Sequence, residues 1–387
     1  MMANWWKRRA GDGVRAKIEG KAMGAQTLFQ LSPLGLSGGA RKGFAALASE
    51  GFAKNPVAYR CVRMVAENAA RVPLEVRDGD KVLTKHPLLD LLARPNQRQD
   101  GIALLESVYS YLLLAGNAYF DAAIVEGEIK GLYGLRPDRM AVIAGKDGWP
   151  MGYAYTVGGR THRLMLEGEP VARVLHLKLF DPLDDHYGQS PLAAAQASLE
   201  THNAATQWNR ALLENAARPS GALVYSAASG NLTEDQYQRL KSELEDGFAG
   251  AANAGRPMVL EGGLDWKTMA LSPRDMDFLD AKHAAAREIA LAFGVPPMLL
   301  GIPGDNTYAN YAEASRALWR QTVIPLVRAA TGAIGHWLSP AFGGVDLVAD
   351  FDGVEALAGD RAKEWERIGA ASFLSDAEKR ELLGFGR

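Results

Sequence analysis

The stretch "IALAFGVPPMLLGIPGDNTYANY" spans Ile289 to Tyr311. Apolar residues run almost unbroken from Ile289 to Pro303, include Pro296, Pro297 and Pro303, and stop at Gly-Asp-Asn-Thr-Tyr. The run is shorter than the roughly 20 residues a membrane-spanning helix needs, and its prolines interrupt helical hydrogen bonding. Such a stretch between two helical patterns is either a buried core turn or a loop whose partner lies outside its own domain.

The flanks define what carries it. Ser272 and Pro273 open a helical pattern that reaches Phe293, with Asp275 and Asp277 in its first turn, where the helix dipole favours anions. Asp280 follows on the same helix. Gly294 suits the position just past the helix end. Downstream, a third long helix is expected from about Tyr308 to Leu338, and Pro325 inside it predicts a kink or hinge. Upstream, "PLAAAQASLETHNAATQWNRALLENAAR" reads as a long helix whose only charges are Glu200, Arg210, Glu214 and Arg218. Residues 219–272 between the first two helices read as a compact insert, with a strand near Leu223–Tyr225 and a helix capped at Thr233. That helix carries an apolar stripe of Tyr237, Leu240, Leu244 and Phe248, and the strands "RPMVL" and "LDWKTMA" follow. Two long helices bracketing a small insert, with a third reached through an apolar turn, suit an elongated stalk with a knob at its tip better than a catalytic domain.

The first half is α+β. Asn55-Pro56 is a helix start, and Val57, Cys61, Val62, Val65 and Ala69 line one helical face. Asp78-Gly79 marks a hairpin. A short helix, "HPLLDLLARPN", ends before Pro95, and Asp100 caps a longer one that Gly116-Asn117 stops. Strands are expected at "AYFDAAIV", "RMAVI", "YAYTV", "THRLML" and "VLHLKLF", with a hairpin at Gly158-Gly159. From Val345 the pattern gives a strand and two short helices, the last with a Ser375–Glu378 capping box.

Composition places the 387-residue chain among ordinary globular proteins, with 48% hydrophobic and 23% charged residues. The net charge of −2 excludes a generally basic nucleic-acid binder. Charge is uneven, however: residues 1–60 hold ten Lys/Arg against three Asp/Glu, so a basic arm precedes an acidic body. Trp5 and Trp6 beside Lys7, Arg8 and Arg9 give that arm a possible contact with membrane or nucleic acid, against the simpler reading of a frayed terminus. The start lacks the apolar core of a secretory signal. Cys61 is the single cysteine, which excludes an intrachain disulfide and a thiolate zinc cluster; it reads as a small buried hydrophobe.

Chemical motifs are weak. Gly35–Gly39, "GLSGG", matches G-x-S-x-G without the strand and helix a nucleophile elbow needs. "GGARKG" lacks the Gly-Lys-Ser/Thr ending of a phosphate loop. Asn231-Leu232-Thr233 is a glycosylation sequon by pattern, but Thr233 is better used as a helix cap. Asp184, Asp185 and His186 in "DPLDDHYG" could hold a metal for a hydrolase or nuclease, but they read more simply as solvated turn residues.

The chain resembles the portal proteins of tailed phages, of the type found in long-tailed siphophages, prophages and gene-transfer particles. The resemblance rests on collinear pieces: "NPVAYRCVRMVAENAARVPLEV", "HPLLDLLARPN", "GNAYF", "LRPDRM", "HYGQSPL", "ARPSGALV", "LEGGLDWKTMALSP", "EIALAFGVPPMLLG" and "TYANYAEASRALW". It covers about residues 55–340. It implies an α+β portal fold: a basic arm over 1–30, a wing over 31–190, stem helices over 191–218 and 273–294 around a clip at 219–272, a tunnel loop over 295–309, a long kinked helix over 310–342, and a short helical crown region over 343–387.

It also implies a homo-oligomeric ring, usually of twelve copies, at one capsid vertex of a virion or phage-like particle assembled in the bacterial cytoplasm. Double-stranded DNA would be packaged and ejected through the ring. Expected partners are the major capsid protein, the large terminase and a head-to-tail adaptor, with no membrane, no cofactor, no metal and no catalysis of its own. Residues expected to face DNA are Pro296, Pro297, Met298, Leu299, Leu300, Ile302, Asp305 and Asn306; Asp275, Asp277 and Asp280 are expected to line the stem. Tyr237, Arg239, Glu243 and Trp266 are expected to meet motor or connector. Twelve helices, each about 10 Å across, close a circle with a bore near ~28 Å, wide enough for a duplex. A metal-dependent hydrolase using Asp184, Asp185 and His186, and a monomeric DNA-binding module with a basic arm, stand as alternatives.

Overall fold

The computed structural model describes residues 44–168, 170–214, 221–225, 233–248, 264–268, 278–303 and 308–383. The basic arm, the Gly35–Gly39 and "GGARKG" motifs, Asn231 and the expected strand "RPMVL" lie outside these residues, as do Asp275, Asp277, Asp305 and Asn306.

Helical structure begins earlier than Asn55. Residues 44–46 are helical and lead into a π-helical segment, Leu47–Ala53. Phe44, Leu47 and Phe52 pack against the main core, and buried Gly51 lies so close to Leu192 that a Cβ would stand 2.8 Å from its Cδ2. The wide π turn spaces these apolar residues off the ordinary helical period, which hides the segment from a periodicity reading.

Asn55 then caps α1, Pro56–Ala70, accepting from the backbone N–H of Val57 and Ala58, each at 3.0 Å. The α1 face predicted from spacing is the buried one: Cys61, Val62 and Val65 are all 0% exposed, and burial pushes the Cys61 thiol up to about 12. That thiol is a packing group, not a nucleophile. Strands β1, Leu74–Asp78, and β2, Lys81–Leu83, form a hairpin whose two-residue turn is Gly79-Asp80, with Gly79 at φ +59° as the first central residue. Helices α2, Pro87–Ala93, and α3, Gly101–Ala115, follow, and Asp100 caps α3 through the N–H of Ala103 at 2.8 Å.

Two further antiparallel sheets follow. One runs β4-β3-β8, with β3 Asn117–Val125, β4 Glu128–Leu135 and β8 Val174–Lys178. The other runs β5-β6-β7, with β5 Met140–Ala144, β6 Pro150–Val157 and β7 Arg160–Met165. A small second core of Tyr119, Leu135, Met140, Tyr153, Leu164 and Val174 joins them. Strand β4 was not expected from sequence, because Gly131 and Gly134 dilute its β signal. Those glycines let α2 and α3 approach: a Cβ on Gly131 would lie 2.9 Å from the Pro95 carbonyl oxygen, and one on Gly134 3.3 Å from Leu104 Cδ1.

The predicted helix from Pro191 is two helices, α4 Pro191–Ala194 and α5 Gln196–Glu214, broken at Ala195. Beyond α5 lie β9 Gly221–Tyr225, α6 Glu234–Phe248 and β10 Leu264–Thr268, with β9 and β10 antiparallel. Then come α7 Phe278–Ala292, α8 Tyr308–Leu318, a π-helical turn Trp319–Val323 and α9 Ile324–Leu338. Strand β11, Asp346–Ala349, returns to pair with β1. Helices α10, Ala358–Ala370, and α11, Asp376–Leu382, close the described chain, with the predicted capping box at Ser375 and Glu378 present. The main core gathers α1, α3, α7 and α9 around buried Tyr109, Phe120, Ile289, Ile334 and Leu338. Among the described residues no helix is long and apolar enough to cross a membrane.

Candidate functional site: paired helices, the proline turn and the interrupted helix

Helices α5 and α7 pack against each other, and Ser198 Oγ donates to Glu288 Oε2 at 2.5 Å across the pair. The small side chains of α5 permit this approach. Its root is held by a buried polar knot: Asn55 Nδ2 donates to Asn203 Oδ1 at 3.0 Å and to His202 Nδ1 at 3.1 Å. His202 therefore accepts through Nδ1 and is neutral, in keeping with burial lowering its pKa. Asp280 sits exposed in the first turn of α7.

Helix α7 ends as its sequence predicts. Gly294 adopts φ +64°, its N–H donates to the Leu291 carbonyl at 2.9 Å, and the Val295 N–H donates to the Ala290 carbonyl at 2.9 Å. These two bonds make a Schellman motif. The chain then folds into a short 3-10 turn, Pro297–Leu300, closed by Gly301 at φ +70° and by the Ile302 N–H donating to the Pro297 carbonyl at 3.3 Å. Val295 and Ile302 are buried, Leu299 and Leu300 pack against the main core, and Arg287 donates to the Pro303 carbonyl.

Of the residues expected to face DNA, Ile302 is buried, while Leu299 and Leu300 are half-buried with one side against the main core. Pro296, Pro297 and Met298 are half-buried at the turn's surface.

The long helix is interrupted where Pro325 requires it. Pro325 lacks an N–H, and the π-helical turn before it is closed by an Ile324 N–H to Trp319 carbonyl bond, five residues apart. Within that turn Thr322 Oγ1 donates to the Gly294 carbonyl at 2.7 Å, tying the helix to the end of α7. Arg320 and Arg316 pair with Asp360 of α10, at 2.6 and 3.4 Å.

A second constellation sits where α3 meets β3. Gly116, at φ +70°, and Gly188 cross so closely that a Cβ on either would lie 2.3 Å from the other's carbonyl oxygen. Asn117 bolts the crossing. Its Nδ2 donates to the carbonyls of Ala115 (2.8 Å) and Gly188 (3.1 Å), and its Oδ1 accepts from the Gly188 N–H (2.8 Å) and meets His176 Nε2 at 2.9 Å. All four amide valences are used. His176 stacks on Tyr119 with ring centroids 4.2 Å apart, and burial pushes its pKa down to about 3.

The Asp184–His186 segment belongs to the same loop. Asp184 Oδ1 accepts the backbone N–H groups of His186 (2.8 Å) and Tyr187 (3.0 Å), so the carboxylate organises the turn. Among the described residues no three His, Cys, Asp or Glu side chains converge as metal ligands. In the insert, Tyr237 and Arg239 are exposed on α6, Glu243 lies on the same helix, and Trp266 is in register with Leu223 across β10 and β9.

The described geometry matches known proteins over most of its length. The phage portal protein family matches residues 56–384. A chain from the neck of an empty gene transfer agent particle computed with C6 symmetry is 53% identical, with TM-score 0.72 and coverage of 89% of this chain and 93% of that one. A chain from the neck of a native particle computed with C12 symmetry is 53% identical, with TM-score 0.70 and the same coverage. The portal protein of Enterobacteria phage HK97 is 26% identical over 92% of this chain and 83% of its own. An uncharacterized protein of Rickettsia bellii (strain RML369-C) is 37% identical over 99% of this chain and 97% of its own. An HK97-family portal protein from Corynebacterium diphtheriae, 18% identical, shares the fold at TM-score 0.55 over 79% of this chain and 94% of that one. The chain that carries the helix pair, the proline turn and the interrupted helix thus belongs to the phage portal protein family.

Proposed function

We propose that this chain forms the portal ring at one vertex of a phage-like or gene-transfer particle, through which double-stranded DNA enters and leaves. One observation carries this reading: chains from gene transfer agent necks align over 93% of their own length at 53% identity. The C12 symmetry used for one of those necks supports twelve copies.

In this reading α5 and α7 belong to the stem, residues 219–272 are the clip, and residues 295–309 are the tunnel loop nearest the axis. Pro296, Pro297 and Met298 form its apolar shoulder, with Asp305 and Asn306 beyond them. Apolar and acidic groups toward the axis make no lasting ion pairs with phosphate, which favours sliding over sticking. Asp275, Asp277 and Asp280 on the stem act in the same sense. Tyr237, Arg239, Glu243 and Trp266 offer the clip contact for a packaging motor and, later, a head-to-tail adaptor, while the wing meets the major capsid protein. The chain serves as a conduit and supplies no catalysis.

Electron microscopy of the purified protein and of particles made with and without it tests the reading. Closed rings with a central opening, and DNA-free particles in its absence, are expected. A protein that stays monomeric at all concentrations, together with normally filled particles in its absence, refutes it.

A further inference from the structure

We infer that the loop from Phe180 to Asp185 is the seat by which one copy docks on the edge strand β7 of the next. The inference rests on the ring reading above and deepens it. The loop holds two large apolar side chains almost wholly in solvent: Phe180 is 85% and Leu183 94% exposed. It is firmly braced. Asp181 Oδ1 accepts the Leu183 N–H at 2.9 Å, Asp184 Oδ1 accepts two further N–H groups, and Lys178 reaches the Asp185 carbonyl. The Tyr187 hydroxyl accepts the Val142 N–H of β5 at 2.9 Å. A flexible loop could fold such side chains back, whereas this one presents them. Presented apolar groups of this size mark an interaction surface.

The partner surface is on the same chain. The loop is anchored at β5, one edge of the β5-β6-β7 sheet, and β7 is the other edge. Strand β7 exposes Arg160, His162, Arg163 and Met165, a basic strip with an apolar end. The loop brings Asp181, Asp184 and Asp185 beside its two apolar side chains. Acidic and apolar at one edge, basic and apolar at the other, is the arrangement a head-to-tail contact needs to close a ring. The C12 and C6 necks of the similar chains supply the symmetry in which each copy has such a neighbour.

Cysteine labelling tests this cleanly, because Cys61, the single native cysteine, is buried. In Leu183→Cys, maleimide modification is expected to be at least about tenfold slower in isolated rings than in dissociated protomers. Arg163→Glu is expected to lower ring yield while leaving the protomer's thermal melt unchanged. Equal labelling of rings and protomers overturns the inference while leaving the ring reading intact. So does a Leu183→Cys that stays open in rings and closes only in complete particles, since another particle protein then covers it. Failure of the wild-type chain to form rings refutes the ring reading itself.

Discussion

Replacing Asn117 with alanine tests whether the crossing of Gly116 and Gly188 holds the junction of α3 and β3 together. The substitution leaves the buried Gly188 N–H without its acceptor and strips the Ala115 and Gly188 carbonyls and His176 Nε2 of their partner. An orphaned buried donor costs about 1–3 kcal/mol, and each further bond lost about 0.5–1.5 kcal/mol. Allowing for incomplete additivity among neighbours, the loss is ~2–5 kcal/mol. At about 2–4 °C per kcal/mol for a domain of this order, thermal unfolding should move down by roughly 5–15 °C. Asn117→Asp provides the control. It keeps both acceptor contacts but turns a carboxylate oxygen toward the two carbonyls, so it too should melt early although it removes almost no volume. Differential scanning fluorimetry of the dissociated protomers reads both. If the two variants melt within about 2 °C of the parent, the amide contributes less than roughly 1 kcal/mol and the reasoning fails.

Gly116→Ala forces both a left-handed backbone, which costs about 1–2 kcal/mol, and a methyl group into the Gly188 carbonyl, so soluble yield should collapse. Thr322→Val frees the Gly294 carbonyl and should lower stability by about 1 kcal/mol, read as a fall in the urea midpoint at unchanged slope. His176, held neutral down to about pH 3, takes up a proton in the unfolded chain near its ordinary value of about 6.5. Stability is therefore full above pH 6.5 and is lost progressively as pH falls toward 3, and His176→Phe should flatten part of that decline in melts taken between pH 7 and 4.5. In the ring, Lys at Asp275, Asp277 and Asp280 together should slow DNA packaging; an unchanged packaging rate removes their proposed role.

Much of this was legible in the chain itself because the signals were local. Asn55-Pro56, Asp100, Gly294 and Ser375 each announce a helix boundary through the backbone groups they satisfy, and all four act where expected. The apolar face of α1 was readable because its period is helical. Signals that depend on distant partners were not. Strand β4 looks weak until α2 and α3 are seen lying against its glycines, and the Leu47–Ala53 segment is masked by its π-helical spacing. The run from Val295 to Ile302 has two readings in sequence, and the packing of its buried ends, Val295 and Ile302, depends on core residues far away in the chain. The crossing of Gly116 and Gly188 joins residues more than seventy positions apart, which no local pattern encodes.

The five-residue turn at Trp319–Val323 has a consequence for tolerance to insertion and deletion. A π-helical turn carries one residue more than the α-helix would, so everything on its N-terminal side is rotated about 100° from the phase of α9. Removing a single residue there would let the helix run straight through. Thr322 would then swing away from Gly294, and Arg316 and Arg320 away from Asp360, while α9 kept its grip on the core. One surplus residue thus sets the angular alignment between the two halves of the long helix, and a length change that an exposed loop would absorb unnoticed would here misalign one half against the other.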